Sequence, residues 1–499
     1  MPPLWLSIVP VLFLILGLVS AVWIAGEDAT SGPSQVMLIL SGIFASFLSL
    51  THGYYSARRN RVAFSFSASW KKLESAILST IAEVMPAVLI LLLIGALIGL
   101  WIVSGVVPAL IVWGIALLDP TIFLFTACIL SAVVSLVTGS SWSTAGTVGV
   151  ALVGVGHALG MDPGMTAGAV VSGAYFGDKM SPFSETTNLA ASMAGVELFD
   201  HIRHMMYTTI PGLVISLVIF LGMGYGITES SSPVELEKTV NTIQSVFWIH
   251  PALLAVPLFT FFLIYRRIPA VPAILLGSLL GAAFAALFQS EALAFADQKN
   301  MPAALLQSAS NGLHFATGQS NVDSLLGRGG MSSMLTTIWL ILSAMFFAGI
   351  MEGSGMIQSI ATSVLKRIHS TGGLISGTIF GGLFANIVTS EQYLSIVVNG
   401  RFFREAYKQR GLSPLTLSRS LEDSGTLTSA LVPWNTCGAF MAATLQTPVF
   451  LYAPFAFLNW ITPLIGILYA WTGTFLAPAE QKRGGKSLAS SASPSDAEG

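Results

Sequence analysis

Apolar stretches close to the length of a membrane span recur along nearly the whole chain, and that recurrence constrains its fold more than anything else in it. A helix needs about twenty apolar residues to cross a bilayer. Within lipid, such a helix satisfies all of its own backbone hydrogen bonds. Composition points the same way. Of 499 residues, 54% are hydrophobic and only 9% charged, against roughly 25% charged in soluble domains. So few charges cannot cover a water-facing surface, which excludes a soluble enzyme. The chain reads as an all-α polytopic membrane protein.

What remains outside the apolar runs is too short for a catalytic domain. Met1 to Gly26 is one apolar run with no basic residue before it, so it reads as a retained first transmembrane helix rather than a cleavable leader. Longer polar stretches are confined to about 229–247, 291–333 and the tail after Leu476, whose Ser-, Ala- and Lys-containing composition is that of disorder. No phosphate loop, His-Glu-x-x-His or Gly-x-Ser-x-Gly pattern is present. Cys128 and Cys437 lie far apart in apolar surroundings, without metal or disulfide spacing. ATP-driven transport and catalysis are therefore not expected, nor is a cofactor or a nucleic-acid partner.

Basic residues set the topology. Arg58, Arg59, Arg61, Lys71 and Lys72 cluster between about 53 and 74, a loop that the positive-inside tendency places in the cytoplasm. Glu27 and Asp28 then lie outside and the N-terminus inside. Further cytoplasmic turns are marked by Arg203 with His201 and His204, by Arg266-Arg267, by Lys366-Arg367 and by Arg401, Arg404, Lys408 and Arg410. Lys482, Arg483 and Lys486 place the C-terminus inside as well. Glu229, Glu235, Glu237 and the 291–333 segment fall outside. Threading the chain through these marks works only if 120–160 and 372–400 enter and leave on one side. The expectation is about ten transmembrane helices plus two re-entrant hairpins.

The two halves share their punctuation. Ser104-Gly105 precedes Thr138 by 34 residues and Ser354-Gly355 precedes Thr389 by 35. Asp178 and Asp423 follow, then Asn188 and Asn435. The first core helix (about 75–103) runs inside to outside and its counterpart (about 334–351) the reverse, so the halves read as two inverted-topology repeats. Inverted repeats with Gly- and Pro-interrupted segments are the usual plan of secondary transporters, with the site at the midplane. The chain divides into N-terminal helices with the basic loop (1–74), a first repeat (75–228), connecting helices and a polar loop (229–333), a second repeat (334–476) and a cytoplasmic tail (477–499).

The interrupted segments carry the oxygen donors. In the first half, Thr138-Gly-Ser-Ser-Trp-Ser-Thr-Ala-Gly146 precedes Gly177-Asp-Lys-Met-Ser-Pro-Phe-Ser-Glu-Thr-Thr-Asn188, where Pro182 must break the helix. The second half offers Thr389-Ser-Glu-Gln-Tyr393 and Glu422-Asp-Ser-Gly-Thr-Leu-Thr428 through Pro433-Trp-Asn-Thr436, with breaks expected at Gly425 and Pro433. Hard cations prefer oxygen ligands, and the candidate ligands of a small alkali cation are Thr138, Asp178, Ser181, Thr187, Asn188, Thr389, Asp423, Thr426, Asn435 and Thr436. A carboxylate at membrane depth costs roughly 2.5–3.5 kcal/mol on insertion scales and is usually functional. Burial favours a carboxyl's protonated form and a bound cation its ionised form, so proton and metal ion compete for one group. Asp178, Asp423 and Glu391 are the candidates for that coupling, with the cation between Asp178/Asn188 and Asp423/Asn435.

Plainer roles compete with these. Asp178 could simply pair with adjacent Lys179, and Asp423 could cap a helix. Glu185 and Glu422 read as ordinary partners near a helix end, Glu83 as an interfacial anchor and Glu352 as a residue near the cytoplasmic interface. His201 and His204 read as a solvated loop. Trp142 and Trp434 either line the cavity or plug it, and no buried arginine is evident to clamp a substrate carboxylate.

Residues 172–190, Ser-Gly-Ala-Tyr-Phe-Gly-Asp-Lys-Met-Ser-Pro-Phe-Ser-Glu-Thr-Thr-Asn-Leu-Ala, resemble the signature of the NhaC-type Na+/H+ antiporter family, within the ion-transporter superfamily. Stretches 138–149 and 422–438 are similar to its two other hallmarks, and the likeness extends over about 70–475. One departure is Glu185, where the family commonly has Asp. The resemblance implies Na+ exchanged for H+ by alternating access across a bacterial inner membrane, with no enzyme activity. It also admits exchange of small organic acids of the malate/lactate type or of amino acids coupled to Na+ and H+. Analogy with elevator-type transporters adds a homodimer.

Overall fold

The structure, a computed structural model, describes residues 2–226, 233–295 and 300–476. Glu229 and the tail with Lys482, Arg483 and Lys486 lie outside them. Every regular element among the described residues is a helix. Eight are long and apolar enough to cross a membrane: Leu4–Ala25, Pro33–Arg59, Phe66–Val103, Pro120–Thr138, Leu198–Tyr225, Ala270–Phe288, Met331–Gly353 and Thr371–Thr389. Two bent pairs, Val234–Val246 with Pro251–Tyr265 and Val449–Phe455 with Phe457–Thr472, turn by 85° and 55° and would bring the number to ten. The first arm of each expected hairpin is thus itself long and apolar enough to span.

Both expected hairpin tips are built alike. Phe123–Thr138 ends at Gly139 and Thr371–Thr389 at Ser390, each with left-handed backbone (φ 71° and 57°). An extended residue follows and caps the next helix: Ser140 accepts from the Ser143 N–H, and Glu391 from the Leu394 N–H. Glu391 therefore stands where the first half has Ser140. Ser104-Gly105 and Ser354-Gly355 also match, each glycine left-handed at the start of a helix (φ 80° and 76°).

The later breaks are less alike. Pro163–Met180 stops at Ser181, and Glu185–Ala194 restarts from Ser184, whose hydroxyl caps it. In the second half the chain runs as Pro414–Leu421, widens into a π-turn over Glu422–Thr426 and tightens into a 3-10 turn over Leu427–Leu431. It stops only at Val432 and restarts from Asn435. Gly425 therefore does not break the helix, contrary to expectation. The carbonyl at Gly425 is taken up by the Asn386 amide at 2.9 Å, which supports the widened turn from a neighbouring helix. Counted from the caps, Asn435 corresponds to Ser184 and not to Asn188, which sits inside the restarted helix.

The 163–180 helix lies at the centre, buried over nearly its whole length. Glycine makes that possible. A Cβ at Gly173 or Gly177 would run into the backbone of the Phe123–Thr138 helix, and one at Gly164 or Gly168 into the backbone of 451–455. Small residues let membrane helices approach to backbone contact, and here they do so on two faces. The Ser135 hydroxyl donates to the Ala174 carbonyl across the first face at 2.5 Å. Gly95 and Gly99 of the 66–103 helix do the same for the polar 291–333 segment. Its Ser308 hydroxyl reaches the Gly99 carbonyl at 2.8 Å, and the Gly330 amide the Gly95 carbonyl at 2.7 Å.

His201 and His204 depart from the solvated loop read in the sequence. They lie on the Leu198–Gly226 helix and are buried, because that helix packs against the 414–421 and 457–472 helices. The glycine contacts yield a prediction. Gly177→Leu is expected to destabilise the protein by about 1–3 kcal/mol or more, the cost of overpacking against backbone that cannot yield. Thermal unfolding in detergent measures it, with Gly222→Leu as the control, since nothing lies within 4 Å of a Cβ there.

Candidate functional site

Asp178 and Lys179 end the central helix and serve different partners. Asp178 Oδ2 accepts from the Ser141 N–H at 3.2 Å and the Ser141 hydroxyl at 2.6 Å; Oδ1 accepts from the Ser184 hydroxyl at 2.7 Å. One carboxylate thus fastens the first tip to the restart after the break. It also sits at the N-terminus of the helix that begins at Ser141, where the backbone's partial positive charge favours an anion. Lys179 is fully buried and forms an ion pair with Asp423 of the second half. Asp178 and Lys179 do not pair with each other, and Asp423 caps no helix.

Asp423 Oδ1 also accepts from the Thr208 hydroxyl at 3.0 Å, while Oδ2 has no hydrogen-bond partner. Glu422 is not a helix-end partner. It is wholly buried in the π-turn, with neither oxygen in a hydrogen bond of ordinary geometry, although the Lys179 ammonium and the Thr426 hydroxyl are near. A buried arginine also exists: Arg419, one turn before Asp423, donates from Nη1 to the Phe475 carbonyl at 2.9 Å, while Nε and Nη2 are unpartnered. It had no sequence signal, because a basic residue just beyond a cytoplasmic cluster looks like one more member of it.

A cavity of about 1050 Å³ opens between the halves. Thr138, Asp178, Asn188 and Glu391 line it, together with Glu83, Glu185, Gln392 and Tyr393. Glu391 accepts from the Leu394 N–H at 2.8 Å at the start of its helix, and Glu185 occupies the first turn of the 185–194 helix. Helix N-termini thus accommodate three of the cavity's carboxylates. Tyr393 donates to Glu185 at 2.5 Å and links the two halves along the wall. Glu83, expected as an interfacial anchor, faces this cavity, whereas Glu352 lines a smaller hollow of about 460 Å³ beside Lys72. Trp142 lines the cavity and stacks on Phe440 at 4.0 Å; Trp434 packs away from it, donating to the Ile387 carbonyl at 2.8 Å.

The other expected ligands are used differently. The Thr187 hydroxyl donates to the Lys179 carbonyl at 3.0 Å, and the Asn188 amide to the Pro182 carbonyl at 3.0 Å, so side chains already satisfy oxygens freed by the break. The Ser181 hydroxyl accepts from the Phe183 N–H at 3.3 Å. Thr389 bonds the Ala385 carbonyl at 2.9 Å, and Asn435 bonds Asn386 at 3.2 Å. The Thr426 hydroxyl lies against Glu422, and the Thr436 hydroxyl is buried without a partner. Asp423, Asn435, Thr426, Thr436, Thr389, Ser181 and Thr187 are not among the cavity's walls. Of the expected pairs, Asp178 and Asn188 line the cavity, while Asp423 is paired with Lys179 and Asn435 with Asn386. Among the described residues, no three His, Cys, Asp or Glu side chains gather as a metal cluster. Asn386, a lone amide within an apolar helix, went unremarked in the sequence although polarity at membrane depth was its signal.

Residues 173–474 match the Na+/H+ antiporter family. The Na(+)/H(+) antiporter NhaC of Alkalihalophilus pseudofirmus is 36% identical over 441 residues, 88% of this chain and 90% of that protein. NhaC of Bacillus subtilis is 37% identical over 406 residues, 81% of this chain and 87% of its own length. The malate-2H(+)/Na(+)-lactate antiporter of Bacillus subtilis is 34% identical over 473 residues, covering 94% and 96%.

The buried pair yields a prediction. Lys179→Met leaves the Asp423 charge without its cation and is expected to cost about 3–5 kcal/mol. Lys179→Met/Asp423→Leu should recover most of that loss in thermal unfolding, because replacing both partners removes the unpaired charge.

Proposed function

Because the chain belongs to the Na+/H+ antiporter family, we propose that it exchanges Na+ for H+ across the bacterial inner membrane. The observation that carries this reading is the cavity between the halves, with Asp178, Glu185, Glu391 and Glu83 on its walls. Asp178 is the group on which exchange turns. Ionised, it offers oxygens to a sodium ion that also meets Thr138, Ser140 or Asn188; protonated, it no longer attracts the ion. One carboxyl therefore carries either cargo but not both, which couples the two fluxes without ATP. Its bonds to Ser141 and Ser184 tie the charge on Asp178 to the position of the tip and of the restarted helix. Motion of these segments against the remaining helices would supply alternating access.

The basic loop with Arg58, Arg59 and Arg61 favours a cytoplasmic N-terminus. On that reading the cavity's mouth, with Tyr265 and Arg267, faces the cytoplasm and the inverted halves present an inward-open state. The cavity's size supports a second reading. At about 1050 Å³ it falls in the range of small-molecule pockets rather than of a bare ion. Arg267, whose guanidinium lies 4.7 Å from the Phe183 ring, stands at its rim as a partner for a carboxylate. A small organic acid exchanged together with Na+ and H+ is accordingly the alternative cargo.

Purified protein in sealed vesicles with an acidic interior separates the two. Addition of Na+ alone is expected to dissipate the pH gradient, and Asp178→Asn to abolish the effect. Dissipation only when malate or lactate is also supplied would establish the second reading. A response unchanged in Asp178→Asn would remove Asp178 from the site.

A further inference from the structure

The Leu198–Gly226 helix turns one polar stripe into the protein. His201, His204 and Thr208 lie at i, i+3 and i+7, on one face over about 10 Å of helix. They are 0%, 6% and 0% exposed. At the inner end Thr208 donates to Asp423, which pairs with Lys179. His201 lies within electrostatic reach of Lys179 and His204, and His204 within reach of Arg419. The His204 ring meets Tyr207 edge-on at 5.6 Å, and Tyr207 stacks on Phe475 at 4.6 Å, both partly exposed.

The groups around this stripe are short of partners. Both ring nitrogens of His201, Nε2 of His204, Nε and Nη2 of Arg419 and Asp423 Oδ2 are buried without hydrogen bonds. Tyr407 of the 392–409 helix and Tyr469 of the 457–472 helix both lie within electrostatic reach of Arg419. Packing alone does not account for so many unsatisfied polar atoms in one place, since native proteins leave few. A polar cluster of this kind is where buried water collects. Neither histidine lines the cation cavity.

We propose that His201 and His204 pass the exchanged proton between the Lys179–Asp423 region and the surface at Tyr207 and Phe475, by a route separate from the cation cavity. An imidazole suits this task. One nitrogen takes up a proton while the other gives one up, so the ring returns to neutrality and one proton has moved with nothing consumed. Sodium then enters from the cavity side toward Asp178 while the proton leaves along the 198–226 helix. Glu422 lies within electrostatic reach of Asp178, Lys179 and Asp423, so a change of charge on one side is felt on the other. The proposal rests on the Na+/H+ exchange reading and adds the residues that conduct one of its two cargoes.

The test uses His201→Gln and His204→Gln, which keep hydrogen-bonding capacity but cannot carry a proton. In sealed vesicles, Na+-driven proton flux is compared with tracer sodium self-exchange measured without a pH gradient. The ratio of proton flux to self-exchange is expected to fall by roughly tenfold or more. A ratio equal to the native value in both variants overturns the proposal. So does a parallel fall of both fluxes, which marks the histidines as structural. The two variants are read separately, so loss of folded protein in one leaves the other to decide. Absence of Na+-driven proton flux in the native protein sinks the exchange reading itself, and the proposal with it.

Discussion

A helix can be interrupted inside a bilayer only if every backbone group it frees finds a partner within the protein, because lipid offers none. That requirement shapes the centre of this molecule. The two tips and two later breaks each restart on a residue whose side chain accepts from the new helix: Ser140, Ser184, Glu391 and Asn435. Thr187, Asn188 and Asn386 then take up carbonyls that the breaks and the π-turn release. Much of the hydroxyl and amide content of these segments is thus consumed in holding the irregular backbone. The carboxylates of Glu83, Asp178, Glu185 and Glu391 face the cavity.

The carboxylates are tolerable at that depth for the same structural reason. A helix restarting in the membrane presents its N-terminus, and three of the acidic residues on the cavity wall sit at such ends. The break that exposes polar backbone therefore also supplies the electrostatic setting in which a buried negative charge is stable. Geometry for binding a cation and geometry for surviving in lipid are produced by one device.

The halves are joined in two unlike ways. Tyr393 and Glu185 meet at the cavity wall, where both are exposed. Lys179 and Asp423 meet where neither is exposed, and such a pair is costly to separate. The first contact can open and close in water while the second cannot do so without a compensating partner. Arg419, Glu422 and the His201–His204 stripe surround the second contact with spare donors and acceptors, so the charges there have alternatives to one another.

Much of the architecture was legible in the chain itself. Span-length apolar runs and scarce charge required a helical membrane protein. Pro182 and Pro433 located two breaks, and the recurring Ser-Gly and Thr positions marked equivalent turns in the two halves. These are local matters, decided by solvation and by which residues permit a helix to continue. The tertiary structure decided which charges meet. Lys179 stands beside Asp178 in sequence yet pairs with a residue 244 positions away, because the last turn of a helix sends neighbouring side chains in different directions. Glycine at 425 read as a break, but Asn386 on another helix supplies the hydrogen bond that lets the turn widen instead. His201 and His204 read as a wet loop because their flanks are polar, and only the packing of two distant helices against them made that face an interior one.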